Sequence, residues 1–204
     1  MRFDRTLMTL AAVALAATPG MAPHAQSGNG NMPLDGPAIA GVCMLSREAI
    51  FANAKVGLAA SARLKQLAQQ AQNDIDAERK PVDTDIQAFR TQSASLSADQ
   101  RQSREQALTQ RMQAIQADQA LRTRELEATR AKAMQQIAQY AQPVITSTYR
   151  GKNCGLLLDR NAVLGGNMSN DITAAVVQGL DAKVTTISFN LETLPASGPQ
   201  TGTP

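Results

Sequence analysis

The side chains of this 204-residue chain that could do chemistry are few and far apart. It holds two cysteines, Cys43 and Cys154, and one histidine, His24. There is no C-x-x-C pair, so dithiol redox chemistry lacks its motif. The acid pairs Asp74/Glu78 and Asp83/Asp85 sit in helical sequence and read as exposed helix charge, not as a general acid and base. No phosphate loop, no nucleophile beside a base and no ligand cluster can be found. The sequence therefore predicts no catalytic residue, no cofactor and no metal, and a protein that is not an enzyme.

The amino terminus sharpens that exclusion. Arg2 and Arg5 form a basic start, Leu7–Ala17 an apolar run, and Ala25 before Gln26 a cleavage point, which together read as an export signal. The run is too short to span a bilayer, so a soluble exported protein without stable membrane insertion is expected. Cleavage removes His24, and with it any Ser–His or Cys–His pair and any histidine metal site. It also removes two Arg and one Asp, taking the formal charge from +3 to +2. A charge this mild, with no aromatic residues interleaved among basic ones, excludes a nucleic-acid binder. In an exported chain two cysteines suit a structural disulfide. Cys43 lies in the apolar run Ile39–Leu45 and Cys154 just before Leu156–Leu158, so the sulfurs meet if those runs are neighbouring strands. The alternative is two free buried thiols.

Between the cysteines runs a stretch rich in Ala, Gln and Arg, from Arg47 to Arg150. The pattern predicts a first helix from Arg47 to about Thr91, with Leu58, Leu64, Leu67, Ala71, Ile75, Val82, Ile86 and Phe89 as its seam. Gly57 weakens it, and Pro81 kinks or divides it. Residues 91–98 make the reversal. Ser97 and Gln100 have capping-box spacing, and Asp99 complements the helix dipole. The second helix runs from Ala98 towards Arg150, with Gly151 as its stop. Steps of four and three residues mark Leu108, Met112, Ile115, Gln119, Arg122, Leu126, Thr129, Ala133, Ile137 and Tyr140 as a stripe, apolar at both ends and polar in the middle. Two such helices make an αα-hairpin with arms of ~65–70 Å.

Shorter elements flank the hairpin. Ile39–Leu45 reads as a strand buried on both faces, followed by Ser46 as an N-cap. Leu156–Asp159, Ala162–Leu164 and Thr186–Leu191 read as strands, and Asn170 or Asp171 caps a last helix whose inner face is Ile172, Val176 and Leu180. The expected organisation is a signal peptide over 1–25, a flexible lead-in over 26–37, a β-rich body from 38–46 and 151–194, an arm over 47–150, and a disordered tail over 195–204. Aromatics are only 3% of the chain and tryptophan is absent, so a large core is not expected. A body so small buries too little apolar surface alone and is expected to oligomerise. The fold class is α+β and mostly helical: a long antiparallel helical hairpin projecting from a small β body.

The segments AIAGVCMLSREAIFANAKVGLAASARL and GLLLDRNAVLGGNMSNDITAAVVQGLD carry a resemblance. In the second, Asp159-Arg160-Asn161-Ala162-Val163 as a strand and Asp171-Ile172-Thr173 opening a helix are similar to the closing pattern of the Skp/OmpH family of periplasmic chaperones. The resemblance covers roughly Ala38 to Leu191. It implies a homotrimer with a barrel-like body and three helical tentacles around a cavity. It also implies ATP-independent holding of unfolded outer-membrane proteins in the periplasm.

On that implication, Phe89, Leu96, Leu108 and Met112, near the tip, are candidate client contacts, with seam packing as the competing role. Arg63, Lys65, Arg79, Lys80, Arg101, Arg104 and Arg111 are candidates to steer acidic client segments, with an ordinary solvated helix face as the competing role. Residues 47–150 hold fifteen Lys or Arg and eleven Asp or Glu, a net +4, so such steering is modest. The rival from another class is a structural coiled-coil spacer of the envelope that holds no client.

Overall fold

The computed structural model describes residues 36–195. The expected export signal, most of the lead-in and the tail beyond residue 195 lie outside the described residues. Strand β1 (Val42–Leu45) and strand β2 (Leu156–Asp159) pair in parallel, with Val42 opposite Leu156 and Leu45 opposite Asp159. Parallel neighbours need a crossover, and here the crossover is the whole helical stretch. β1 is shorter than the apolar run that announced it. Gly41 turns the chain at a φ of 77°, its carbonyl accepts from the N–H groups of Gly155 and Leu156, and Ile39 stays exposed.

Ser46 ends β1 and starts helix α1 (Arg47–Asn53). Its hydroxyl accepts from the Ala49 N–H at 3.1 Å, and its own N–H donates to Thr173 Oγ1 at 2.9 Å. The single first helix expected from sequence is two. Ala54 adopts extended backbone, and helix α2 begins at Lys55 and ends at Gln92. Gly57 accounts for the break, because a Cβ there would stand 1.9 Å from the Phe51 carbonyl oxygen. The end of α1 thus lies against the first turn of α2, an approach closed to any other residue. The break also turns Leu58 outward, away from the seam assigned to it. Pro81 divides nothing: α2 runs through it.

A 3-10 turn, Ser93–Ser95, reverses the chain, and helix α3 (Ala98–Gly151) returns. Its capping box is complete: the Gln100 N–H donates to Ser97 Oγ at 3.3 Å, and the Ser97 N–H donates to Gln100 Oε1 at 3.1 Å. At 38 and 54 residues, α2 and α3 rise ~57 and ~81 Å. The residue that turns the chain after α3 is Asn153, at a φ of 54°, and not Gly151. Asparagine is among the few side chains that visit this region readily.

The α3 stripe departs from the expected spacing. Glu125, Thr129, Ala133, Ile137, Ala141 and Val144 face inward, while Tyr140 is 42% exposed. A straight α-helix has 3.6 residues per turn, so a strict 3.5-residue pattern drifts off its face. Two apolar clusters result. One, at the base, joins Leu45, Ile50, Val56, Ile137, Val176 and Leu180. The other, along the arm, centres on Ile75, Val82 and Ile115.

Helix α4 (Thr173–Asp181) closes the base with Ile172, Val176 and Leu180 buried. Asp171 Oδ1 accepts from the Thr173 N–H at 2.8 Å. Two expected strands are absent. Asp159 Oδ1 accepts from the Asn161 N–H at 3.0 Å and curls Arg160–Ala162 into a 3-10 turn, leaving Leu164 98% exposed. Residues 186–191 lie against the hairpin helices and not beside a strand, so among the described residues they have no ladder partner. Residues 184–195 are called the strap below.

Two stability changes follow. Replacing both Cys43 and Cys154 by Ser opens a loop of 111 residues and is expected to lower unfolding free energy by about 4 kcal/mol. Gly57→Ala is expected to lower it by about 2 kcal/mol through overpacking against Phe51. Urea denaturation followed by circular dichroism measures both.

Candidate functional site

The two cysteines form a disulfide, with Cα atoms 5.7 Å apart. Among the described residues there is no free thiol. The bond joins the second residue of β1 to the chain just after the Asn153 turn, so it fastens together the two ends of the hairpin.

The candidate contact residues do not converge on a pocket. Leu108 and Met112 pack against Ile75, Val82 and Ile115 in the arm's seam, the competing role foreseen for them. Phe89 and Leu96 are half-buried close to the tip. Arg79 pairs with Asp83 at 3.4 Å, Arg104 Nη1 donates to Gln92 Oε1 at 3.2 Å, and Arg111 pairs with Asp85. Lys80 and Arg101 are exposed. Arg63 is half-buried against the strap: its Nε donates to the Phe189 carbonyl at 3.4 Å and its Nη2 to Asn190 Oδ1 at 3.5 Å.

Nearer the base, the hairpin has two unlike faces. One carries adjoining hollows of about 540 and 460 Å³ that share Ser61, Leu64 and Arg130 and are lined by Phe51, Leu126, Met134 and Ile137. The other is covered by the strap. There Glu125, 2% exposed, accepts from Arg122 Nη1 at 3.0 Å through Oε2 and from the Leu194 N–H at 3.1 Å through Oε1. One turn away, the Thr129 hydroxyl donates to the Glu125 carbonyl at 2.6 Å and accepts from the Glu192 N–H at 2.8 Å. Lys132 Nζ pairs with Glu192 at 2.8 Å on the rim. A buried carboxylate is costly unless paired and hydrogen-bonded, and here each oxygen has one partner. The sequence places Arg122, the partner of Glu125, in the polar middle of the α3 stripe, but Glu125 itself falls off that stripe. The available signal is the four-residue spacing of Glu125 and Thr129 with Ala133 and Ile137, which puts a carboxylate and a hydroxyl on the buried face.

The electrostatics of the base centre on Asp171, whose side chain is 8% exposed and lies 2.8 Å from Arg160. Burial alone would raise its pKa. Hydrogen bonds from the Thr173 hydroxyl and N–H, together with the Arg160 guanidinium, outweigh burial and hold it below the usual carboxylate value. The exposed Asp159 is lowered by the Asn161 N–H and by Arg47. A carboxylate depressed in the folded state adds stability above its unfolded pKa of about 3.9 and loses it as pH falls through the folded value. The stability of the base is therefore expected to fall from about pH 4 downward. Asp171→Asn should flatten that acid limb in urea titrations at pH 3 and pH 7, lowering stability at neutral pH by about 1–3 kcal/mol.

A family model described as outer membrane protein (OmpH-like) matches residues 41–180. It spans both strands, the hairpin and nearly all of α4, and ends before the strap. The chain is also similar to a solved structure from Caulobacter crescentus CB15, described as an outer membrane chaperone (OmpH-like). The identity is 34% and the TM-score 0.72, over 80% of this chain and 96% of that one. Among curated proteins there is no match.

Proposed function

The chain belongs to the OmpH-like family, and from that premise we propose that it is an ATP-independent holding chaperone for unfolded outer-membrane proteins. It works in the periplasm as a homotrimer whose helical arms enclose the client. The observation that carries this reading is the contrast between base and arm. The base is locked by a disulfide, a strand pair and a helix. The arm beyond it is held by the buried Leu67 and Ala71 and, farther out, by one small cluster at Ile75, Val82 and Ile115. An arm with so thin a seam can splay and offer half-buried side chains such as Phe89, Leu96 and Met112 to an unfolded chain. Many weak contacts then sum through effective concentration, and release needs no fuel.

Self-association is supported by exposed apolar side chains around the two strands. Ile39, Leu156, Leu164 and Met168 are 61%, 51%, 98% and 44% exposed, the kind of surface that a partner copy covers.

The test is to dilute a urea-denatured outer-membrane protein into buffer containing the mature chain and no ATP. The client is expected to stay soluble, whereas a coiled-coil spacer leaves it to aggregate. Phe89→Ala with Leu96→Ala should weaken client affinity by roughly fivefold, equivalent to losing about 1 kcal/mol of apolar contact, with unchanged helicity. A fall in helicity instead would assign both residues to the seam.

A further inference from the structure

The strap has the pattern of a β-strand without the partner of one. Ile187 is buried, Phe189 and Leu191 are half-buried, and Ser188 and Asn190 between them are exposed. The alternation runs over residues 186–191, and transmembrane β-barrel strands carry the same two-residue period over about ten residues. Here the backbone of that segment is bound by helix side chains. Thr129 and Glu125 accept the N–H groups of Glu192 and Leu194, and Arg63 donates to the Phe189 carbonyl.

The spacings of strap and helix match over one step. Alternate N–H groups of an extended chain stand ~6.7 Å apart, and helix residues four apart rise ~6 Å. Glu192 and Leu194 step along the strap as Thr129 and Glu125 step back along α3, so the strap runs antiparallel to that helix, two residues for each four of helix. Recognition here combines an extended backbone, read through its N–H and carbonyl groups, with alternation, which turns Ile187, Phe189 and Leu191 inward and Ser188 and Asn190 outward. The Thr129 proton is committed to the Glu125 carbonyl, which leaves the hydroxyl oxygen to accept. The strap's two halves are held differently. Val184, Ile187 and Phe189 pack on the core of the base, whereas Asn190–Leu194 is held by polar contacts to Arg63, Glu125, Thr129 and Lys132.

We propose that this face of the hairpin is a binding site for one extended polypeptide segment of alternating polarity, the chemistry of an unfolded transmembrane β-strand, and that the strap's outer half is its displaceable resident. Client and strap compete for the same acceptors, so an empty chaperone keeps its buried carboxylate satisfied and a loaded one exchanges one extended chain for another. The nature of the ligand rests on the unfolded-client reading; the site itself does not.

The test uses the full mature chain carrying Glu192→Pro and Leu194→Pro, which deletes both donated N–H groups and leaves the helices untouched. The probe is a fluorescein-labelled peptide with the sequence of residues 186–195, followed by anisotropy. The variant is expected to bind it at least tenfold more tightly than the unaltered chain. Adding Thr129→Val should reverse most of that gain, and a scrambled peptide lacking the alternation should bind poorly. Equal affinity in variant and unaltered chain overturns the proposal, and so does a gain that survives Thr129→Val. If the double variant does not fold, Leu194→Pro alone carries the same comparison, with an expected gain of about threefold. Peptide binding without protection of denatured client would remove the chaperone reading and leave the site standing. Protection without peptide binding would do the reverse.

Discussion

The ends of a very long excursion have to be brought back to one place, and the rest of the molecule depends on that closure. From Cys43 to Cys154 the chain travels out and back through 111 residues. The closing elements are small: four residue pairs of parallel strand, one disulfide, and a nine-residue helix packed over them. Loop entropy grows only slowly with length, which is why so modest a clasp can hold so long a loop. The clasp also fixes where everything else lies. Ser46 donates to Thr173, the Met44 carbonyl accepts from Ile172, and Asp171 reaches Arg160, so β1, α4 and the turn after β2 form one polar and apolar unit.

Beyond the clasp, stabilising contacts thin out along the arm. The base cluster draws on β1, all four helices and the strap, whereas the cluster farther out rests on α2 and α3 alone. Ion pairs along the outer arm, such as Arg79 with Asp83, are exposed and contribute little. Local opening costs least where few buried contacts are lost, so the fold grades its own stability from a fixed base to a yielding tip. The strap sits at the transition. Its inner half belongs to the core, and its outer half to a row of polar side chains on α3.

Much of this architecture was legible in the residues. The reversal at Ser97 and Gln100, the inner face of the last helix and the neighbouring positions of the two cysteines all come from local rules: capping geometry, helical spacing, and strands flanking a hairpin. What was not legible depended on contacts between distant segments. The break at Ala54 requires knowing that α1 folds back onto Gly57. The helix-turning role of Asn153 was hidden by the more usual Gly151. Residues 186–191 have flawless strand alternation, but alternation reports only which side is buried, and the burying surface proved to be helices. For the same reason Glu125 escaped notice: a carboxylate in a seam makes sense only once the backbone it binds is in view. The candidate contacts at Leu108 and Met112 illustrate the limit from the other side, since one spacing serves packing and client contact equally.

The account's central claim is a clasped base carrying an arm that yields progressively toward its tip. Amide hydrogen exchange of the mature, client-free protein, resolved by mass spectrometry, tests it most directly. The account predicts the slowest exchange around Met44, Val144 and Val176, and exchange that quickens along α2 and α3 towards Ser93–Ser97. Uniform slow exchange along the whole hairpin, or a base that exchanges as fast as the tip, would contradict it.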